Sequence, residues 1–158
     1  MSDAIEQKLR QDVEEYGWHV LNVFPQGSAA PGWSYSTGLF HTLAHPEIVI
    51  FGLSSDTRHS IINEVGDAVR GGKRFEEGTL SSEFLEGYDC VFKRVPVHLY
   101  EIYFGRAIDF YQGKDFPVLQ LVYPDRSKRW PWEEGVAEGF RLAQPVLAYE
   151  VDPGQATS

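Results

Sequence analysis

The chain predicts an α+β domain, and three observations carry that prediction. Its expected elements run α-β-β-β-α-β-α-β-β, which lacks the strict strand–helix alternation of a doubly wound sheet. Two runs, Glu47–Leu53 (EIVIFGL) and Phe116–Tyr123 (FPVLQLVY), are nearly all apolar, as strands covered on both faces are. Between them the apolar spacing changes to the helical period of about 3.6 residues. The expected architecture is a mainly antiparallel sheet, with a partial or split barrel as an option, flanked by about three helices.

The first element is a helix over residues 4–16. Asp3 followed by Glu6 forms a capping box, in which each side chain satisfies an orphan amide. Ile5, Leu9 and Val13 recur at helical spacing, and Gly17 supplies the left-handed residue that ends the helix. Strands follow at Trp18–Phe24, Trp33–Leu39 and Glu47–Leu53. PQGSAAPG reads as a flexible loop between the first two, and FHTLAHP as a loop between the second and third. Ser54 or Ser55 caps a helix over 55–70, whose apolar face is Ile61, Ile62, Val65, Ala68 and Val69. Gly71-Gly72 ends it. A mixed segment leads to a strand over Asp89–Val97. Helical spacing resumes from His98 to Gln112, and the apolar strand Phe116–Tyr123 follows. Val146–Tyr149 reads as a last short strand, and the tail 151–158 as disordered, being small and polar. Residues 1–150 thus read as one globular domain, within the usual size range.

Composition narrows the function classes. The net charge of −9 argues against nucleic-acid binding, where affinity comes largely from neutralising phosphates. The basic groups Arg70/Lys73/Arg74 and Arg126/Lys128/Arg129 are small and mixed with acids, but either can serve an anionic small ligand. Cys90 is the only cysteine, so no intramolecular disulfide forms. Its setting, YDCVF, reads as a buried strand position. The amphipathic N-terminus has no hydrophobic signal core, and no apolar run reaches the length of a membrane span. A cytoplasmic protein with no membrane partner is expected.

Two segments concentrate polar and aromatic groups beyond the needs of a core. The first, WSYSTGLFHTLAHPE, holds Trp33, Tyr35, His41 and His45. The second, PDRSKRWPWEE, holds Asp125, Trp130, Trp132 and Glu133. The candidate ligand-binding set is these eight residues plus Gln120, which lies on the strand before the second segment. The two segments are expected to meet and form an aromatic and histidine-lined cleft. Asp125 follows Pro124, where an Asp side chain bonds amides two residues on. Glu47, Asp125 and Glu133 are carboxyls near these groups, but no nucleophile elbow, phosphate loop or complete metal signature accompanies them. A metal reading rests on His41 and His45 at i,i+4 spacing, but Pro46 disfavours helix at His45 and no HExxH glutamate is present.

At YGWHV (16–20), YSTGL (35–39), HPEIVIFGL (45–53), LQLVYPD (119–125), WPWE (130–133) and QP (144–145), the chain resembles a bacterial family called domain of unknown function 4262. The resemblance spans residues 13–149 and implies a small bacterial soluble protein, with no activity attached. The family usually carries an aliphatic residue where Thr37 stands. A second likeness is architectural. The run TGLFHTLAHPEIVIFGLSSDTRHSIINEV looks like part of a flavin-binding split barrel, in which a helix start receives a phosphate. Ser54, Ser55, Thr57 and Arg58 would then bind the cofactor. The leading expectation is a non-catalytic small-ligand or protein-binding module without a cofactor. A flavin-dependent oxidoreductase is the alternative, and a metal-dependent hydrolase is third.

Overall fold

The computed structural model describes residues 3–25 and 31–150. Residues 1–2, 26–30 and 151–158 lie outside that description, and with them most of the PQGSAAPG segment expected to be a loop and the segment expected to be a disordered tail. Six strands form one sheet: β1 (His19–Val23), β2 (Trp33–Thr37), β3 (Glu47–Phe51), β4 (Leu80–Leu85), β5 (Tyr88–Arg94) and β6 (Val118–Val122). Their spatial order is β1-β2-β3-β6-β5-β4. Every neighbouring pair is antiparallel except β3 and β6, which run parallel with Ile48 opposite Leu119. The domain is therefore α+β, and its sheet stays open with β1 and β4 as edges, so the barrel option is not realised. The two most apolar runs of the sequence are the central pair, which explains why neither alternates: both faces of β3 and β6 are covered.

On one face, Ile48 and Ile50 of β3, Leu119 and Leu121 of β6 and Phe92 of β5 pack with Ile61, Ile62, Val65 and Val69. Those four come from α3 (Ser55–Arg70), whose N-cap Ser54 accepts from Thr57 N at 3.1 Å. On the other face, Tyr35, Val49, Phe51 and Val118 pack with Tyr100, Phe104 and Ala107. That cover comes from α4 (Tyr100–Tyr103) and α5 (Gly105–Tyr111). The single expected helix over 98–112 is thus broken. Phe104 leaves helical geometry and is fully buried against Tyr35 and Tyr100, and the Tyr35 hydroxyl accepts from Arg106 N at 3.1 Å, capping α5 from the sheet. Burial pushes the Tyr35 phenol up to about 12.

The first helix, α1 (Ala4–Tyr16), has the predicted bounds. Its Asp3 cap accepts from Glu6 N at 2.7 Å, and Gly17 has φ 104°. Four further elements differ from the sequence reading. The expected loop after β2 contains α2 (Leu39–Leu43), which ends at Ala44 with φ 54°, so that Pro46 lies outside the helix. The mixed segment before β5 contains β4, and α6 (Glu138–Ala143) precedes the last residues. The expected strand Val146–Tyr149 is a 3-10 turn over Leu147–Tyr149.

Thr37 is fully buried at the end of β2, and its hydroxyl has no hydrogen-bond partner among the described residues. Burying an unpaired hydroxyl costs free energy that an isosteric methyl does not. Thr37→Val should therefore raise stability by about 1 kcal/mol. Denaturant midpoints check this, and a lowered midpoint would show that the hydroxyl is bonded in solution.

Candidate functional site

The first suspect segment is structural. Trp33 packs against Phe51 and Tyr103 with ring centroids 5.7 and 5.3 Å away, and its indole N–H donates to the Tyr103 carbonyl at 3.0 Å. His45 is fully buried. Its Nδ1 lies 2.9 Å from the Pro46 carbonyl and its Nε2 accepts from Phe75 N at 3.0 Å, so both ring nitrogens are committed. Burial holds its pKa below the ordinary histidine value. His41 is exposed on α2 with its ring edge against Phe110. The two histidines therefore do not share a ligand. Among the described residues no group of three or more His, Cys, Asp or Glu side chains is placed to hold a metal.

The reason for this segment's polarity is Glu47. Its carboxylate is buried and accepts from Ser36 Oγ (2.7 Å) and Leu39 N (3.2 Å) on one oxygen. The other oxygen accepts from Gly38 N (3.0 Å), Phe40 N (3.2 Å) and the Tyr111 hydroxyl. The side chain thus caps α2 across a sequence gap, and Arg74 closes the other end on the Leu43 and Ala44 carbonyls. Burial pushes the Glu47 carboxyl above the ordinary range, against the pull of these donors. All its lone pairs are used within the fold.

The residues of the flavin reading are also engaged. Ser54 Oγ donates to Thr57 Oγ1 at 2.8 Å. Arg58 is buried, with Nε on Ser34 Oγ (2.8 Å) and Nη1 on the Gly52 and Leu53 carbonyls (3.0 and 3.1 Å). Ser55 lies half-buried in the first turn of α3.

The second suspect segment is different, because it leaves aromatic surface exposed on a rigid frame. Asp125 organises its start as expected: Oδ1 accepts from Ser127 N and Arg129 N, both at 2.9 Å. Further on, the Trp130 and Trp132 rings stack with centroids 5.4 Å apart and planes 5° apart. Glu133 accepts from Trp130 N, while Arg141 of α6 donates to the Pro131 carbonyl (3.0 Å) and the Glu133 carbonyl (3.2 Å). Tyr149 stands at 84° to Trp132 with centroids 5.5 Å apart, and Lys93 Nζ sits over both rings at 5.1 and 5.6 Å.

Two glutamines hold the opposite wall. Gln120 donates to the Pro145 carbonyl (2.8 Å) and accepts from Leu147 N (2.9 Å). Gln144 donates to the Tyr123 carbonyl and accepts from Tyr123 N, both at 2.9 Å. Between the walls lies a pocket of about 370 Å³, lined by Pro131, Trp132, Leu142, Pro145 and Tyr149, with Arg141 and Glu150 at its polar margin. Trp132 is 41% exposed and Tyr149 55%.

Of the nine expected ligand-binding residues, Trp132 lines this pocket, while Trp130 stacks on it, Glu133 accepts from Trp130 N, and Gln120 bonds the Pro145–Leu147 wall. Asp125 lines a different crevice. Trp33, Tyr35, His41 and His45 take no part. Among the described residues, no hydrogen bond or ring contact joins the 33–46 and 124–134 segments, so the shared cleft expected from their composition does not form. Tyr149 and Arg141 also line the pocket and Lys93 stands over the Trp132 and Tyr149 rings; none of the three carries a sequence signal, whereas the Gln144-Pro145 pair that anchors one wall does.

Fold and site together define an open-sheet α+β domain with an aromatic pocket between the Trp130–Glu133 turn and the 144–150 segment. No helix among the described residues is long and apolar enough to cross a membrane. The chain belongs to the family described as domain of unknown function (DUF4262), whose model matches residues 12–137. No curated protein and no solved structure matches it.

Proposed function

We propose that the protein is a non-catalytic binding module whose pocket between the Trp130–Glu133 turn and the 144–150 segment receives an apolar ring-bearing group of a small ligand or partner protein. One observation carries this reading. Trp132 and Tyr149 remain half open to solvent, although every backbone segment carrying them is fixed by side-chain hydrogen bonds. Exposed aromatics on a rigid frame bind at low entropic cost, and Trp, Tyr and Arg dominate recognition hot spots. The pocket volume falls within the usual range for small-molecule sites. Arg141 and Glu150 at the margin would orient polar ends of the bound group.

The test is amide and indole chemical-shift mapping during titration with indole, cyclohexanol and a proline dipeptide. At least one should move the Trp132 indole N–H and the 145–149 amides together. If none shifts those resonances at millimolar concentration, the proposal fails.

A further inference from the structure

A second cavity lies where the two parallel strands end, and it is built differently from the aromatic pocket. In α/β sheets, ligands collect outside the carboxyl ends of parallel strands, where neighbouring connections diverge to opposite faces. Here β3 and β6 are the parallel pair. The chain leaving β3 turns through Gly52 (φ 72°) and Leu53 (φ 58°) into α3 on one face. The chain leaving β6 runs on through the Asp125 turn to Trp132, whose ring meets Lys93 beside Gln120 on the other. The crevice left at the divergence has a volume of about 560 Å³. Leu53, Leu85, Tyr123 and Phe140 make most of its wall apolar, and Asp125, Arg126 and Ser127 supply its polar side.

Two features mark it as more than a surface dent. Leu53 is a branched residue in the left-handed region, a conformation that costs roughly 1–2 kcal/mol and occurs mostly where it is held for a purpose. It is nevertheless 41% exposed, so packing of its own side chain does not compensate. What holds it is Arg58, only 3% exposed, which grips the Gly52 and Leu53 carbonyls from within. The second feature is charge. Arg126 has no hydrogen-bond or ion-pair partner among the described residues. The neighbouring Asp125 carboxylate is turned to the Ser127 and Arg129 amides, with Arg129 Nε 3.7 Å away. A guanidinium with no partner among the described residues thus lines a largely apolar cavity, in a chain whose net charge is −9.

We infer that this crevice binds a small amphipathic anion, its apolar body against Leu53 and Phe140 and its carboxylate or sulfonate on Arg126. The site is independent of the aromatic pocket. The probes are anilinonaphthalene sulfonate and its uncharged counterpart phenylnaphthylamine, which shares the ring system and lacks the anion. Fluorescence titration of the full chain should show that Arg126→Glu weakens the sulfonate about tenfold, the loss of roughly one charge-assisted contact. The same variant should leave the neutral probe within about twofold. Phe140→Ala should weaken both, and Trp132→Ala neither. Arg126 is exposed and unbonded, so its variant is expected to fold and carries the test even if Phe140→Ala does not. Equal binding of the sulfonate by wild type and Arg126→Glu would overturn the inference. So would loss of both probes with Trp132→Ala, which would place them in the other pocket.

Discussion

Glu47→Gln should destabilise the domain by about 3 kcal/mol or more, the largest effect expected of any near-isosteric change in this chain. Both carboxylate oxygens accept backbone amides: Leu39 N on one, Gly38 N and Phe40 N on the other. A glutamine amide must turn its NH₂ toward one of these sets, placing donor against donor in a buried site. The Tyr111 hydroxyl, which donates to Glu47 and accepts from Gly38 N and His41 N, would lose its acceptor in one of the two orientations. Equilibrium denaturation measures the loss. A change below about 1 kcal/mol would mean that the cage around Glu47 relaxes without penalty.

Leu121→Ala is the second large effect, expected to cost roughly 2–5 kcal/mol. Leu121 is fully buried in the central strand β6, among Ile48, Ile50 and the apolar face of α3. The methyls removed leave a cavity between a sheet and a helix that cannot close without moving both. A loss under about 0.5 kcal/mol in the same assay would contradict the placement of this residue at the centre of the core.

What could be read from the sequence was whatever local periodicity determines. The bounds of α1 and α3, the apolar face of α3 and the central position of β3 and β6 follow from spacing and capping residues that act within a few positions. The elements missed depend on partners far along the chain. Helix α2 is only five residues long and is stabilised by a carboxylate from β3 and an arginine beyond α3, so nothing within FHTLAHP announces it. Strand β4 pairs irregularly with β5 and buries only Ser81 and Phe84. Its one local signal was Glu86-Gly87, the two-residue turn between strands, where Gly87 has φ 82°.

The candidate site shows the same division. Trp130 and Trp132 stood out by composition, as did Asp125 by its turn chemistry. Composition does not distinguish aromatics left exposed from those buried, which is why Trp33 and Tyr35 fall in the same candidate set. His45 looked like a ligand because a buried histidine bonded on both nitrogens leaves no trace in sequence. Gln120, a candidate ligand group by its place before the second segment, instead bonds the Pro145 carbonyl and Leu147 N and holds up the pocket wall.

In the proposed function, Trp132 and Tyr149 serve recognition and not the fold. The most direct measurement is to compare the Trp132→Ala/Tyr149→Ala double variant with wild type in two assays, denaturant unfolding and fragment binding by chemical shift. The expected result is a stability change of about 1 kcal/mol or less, as for surface side chains, together with loss of the fragment-induced shifts at residues 145–149. A loss of several kcal/mol, or shifts that persist in the double variant, would contradict it.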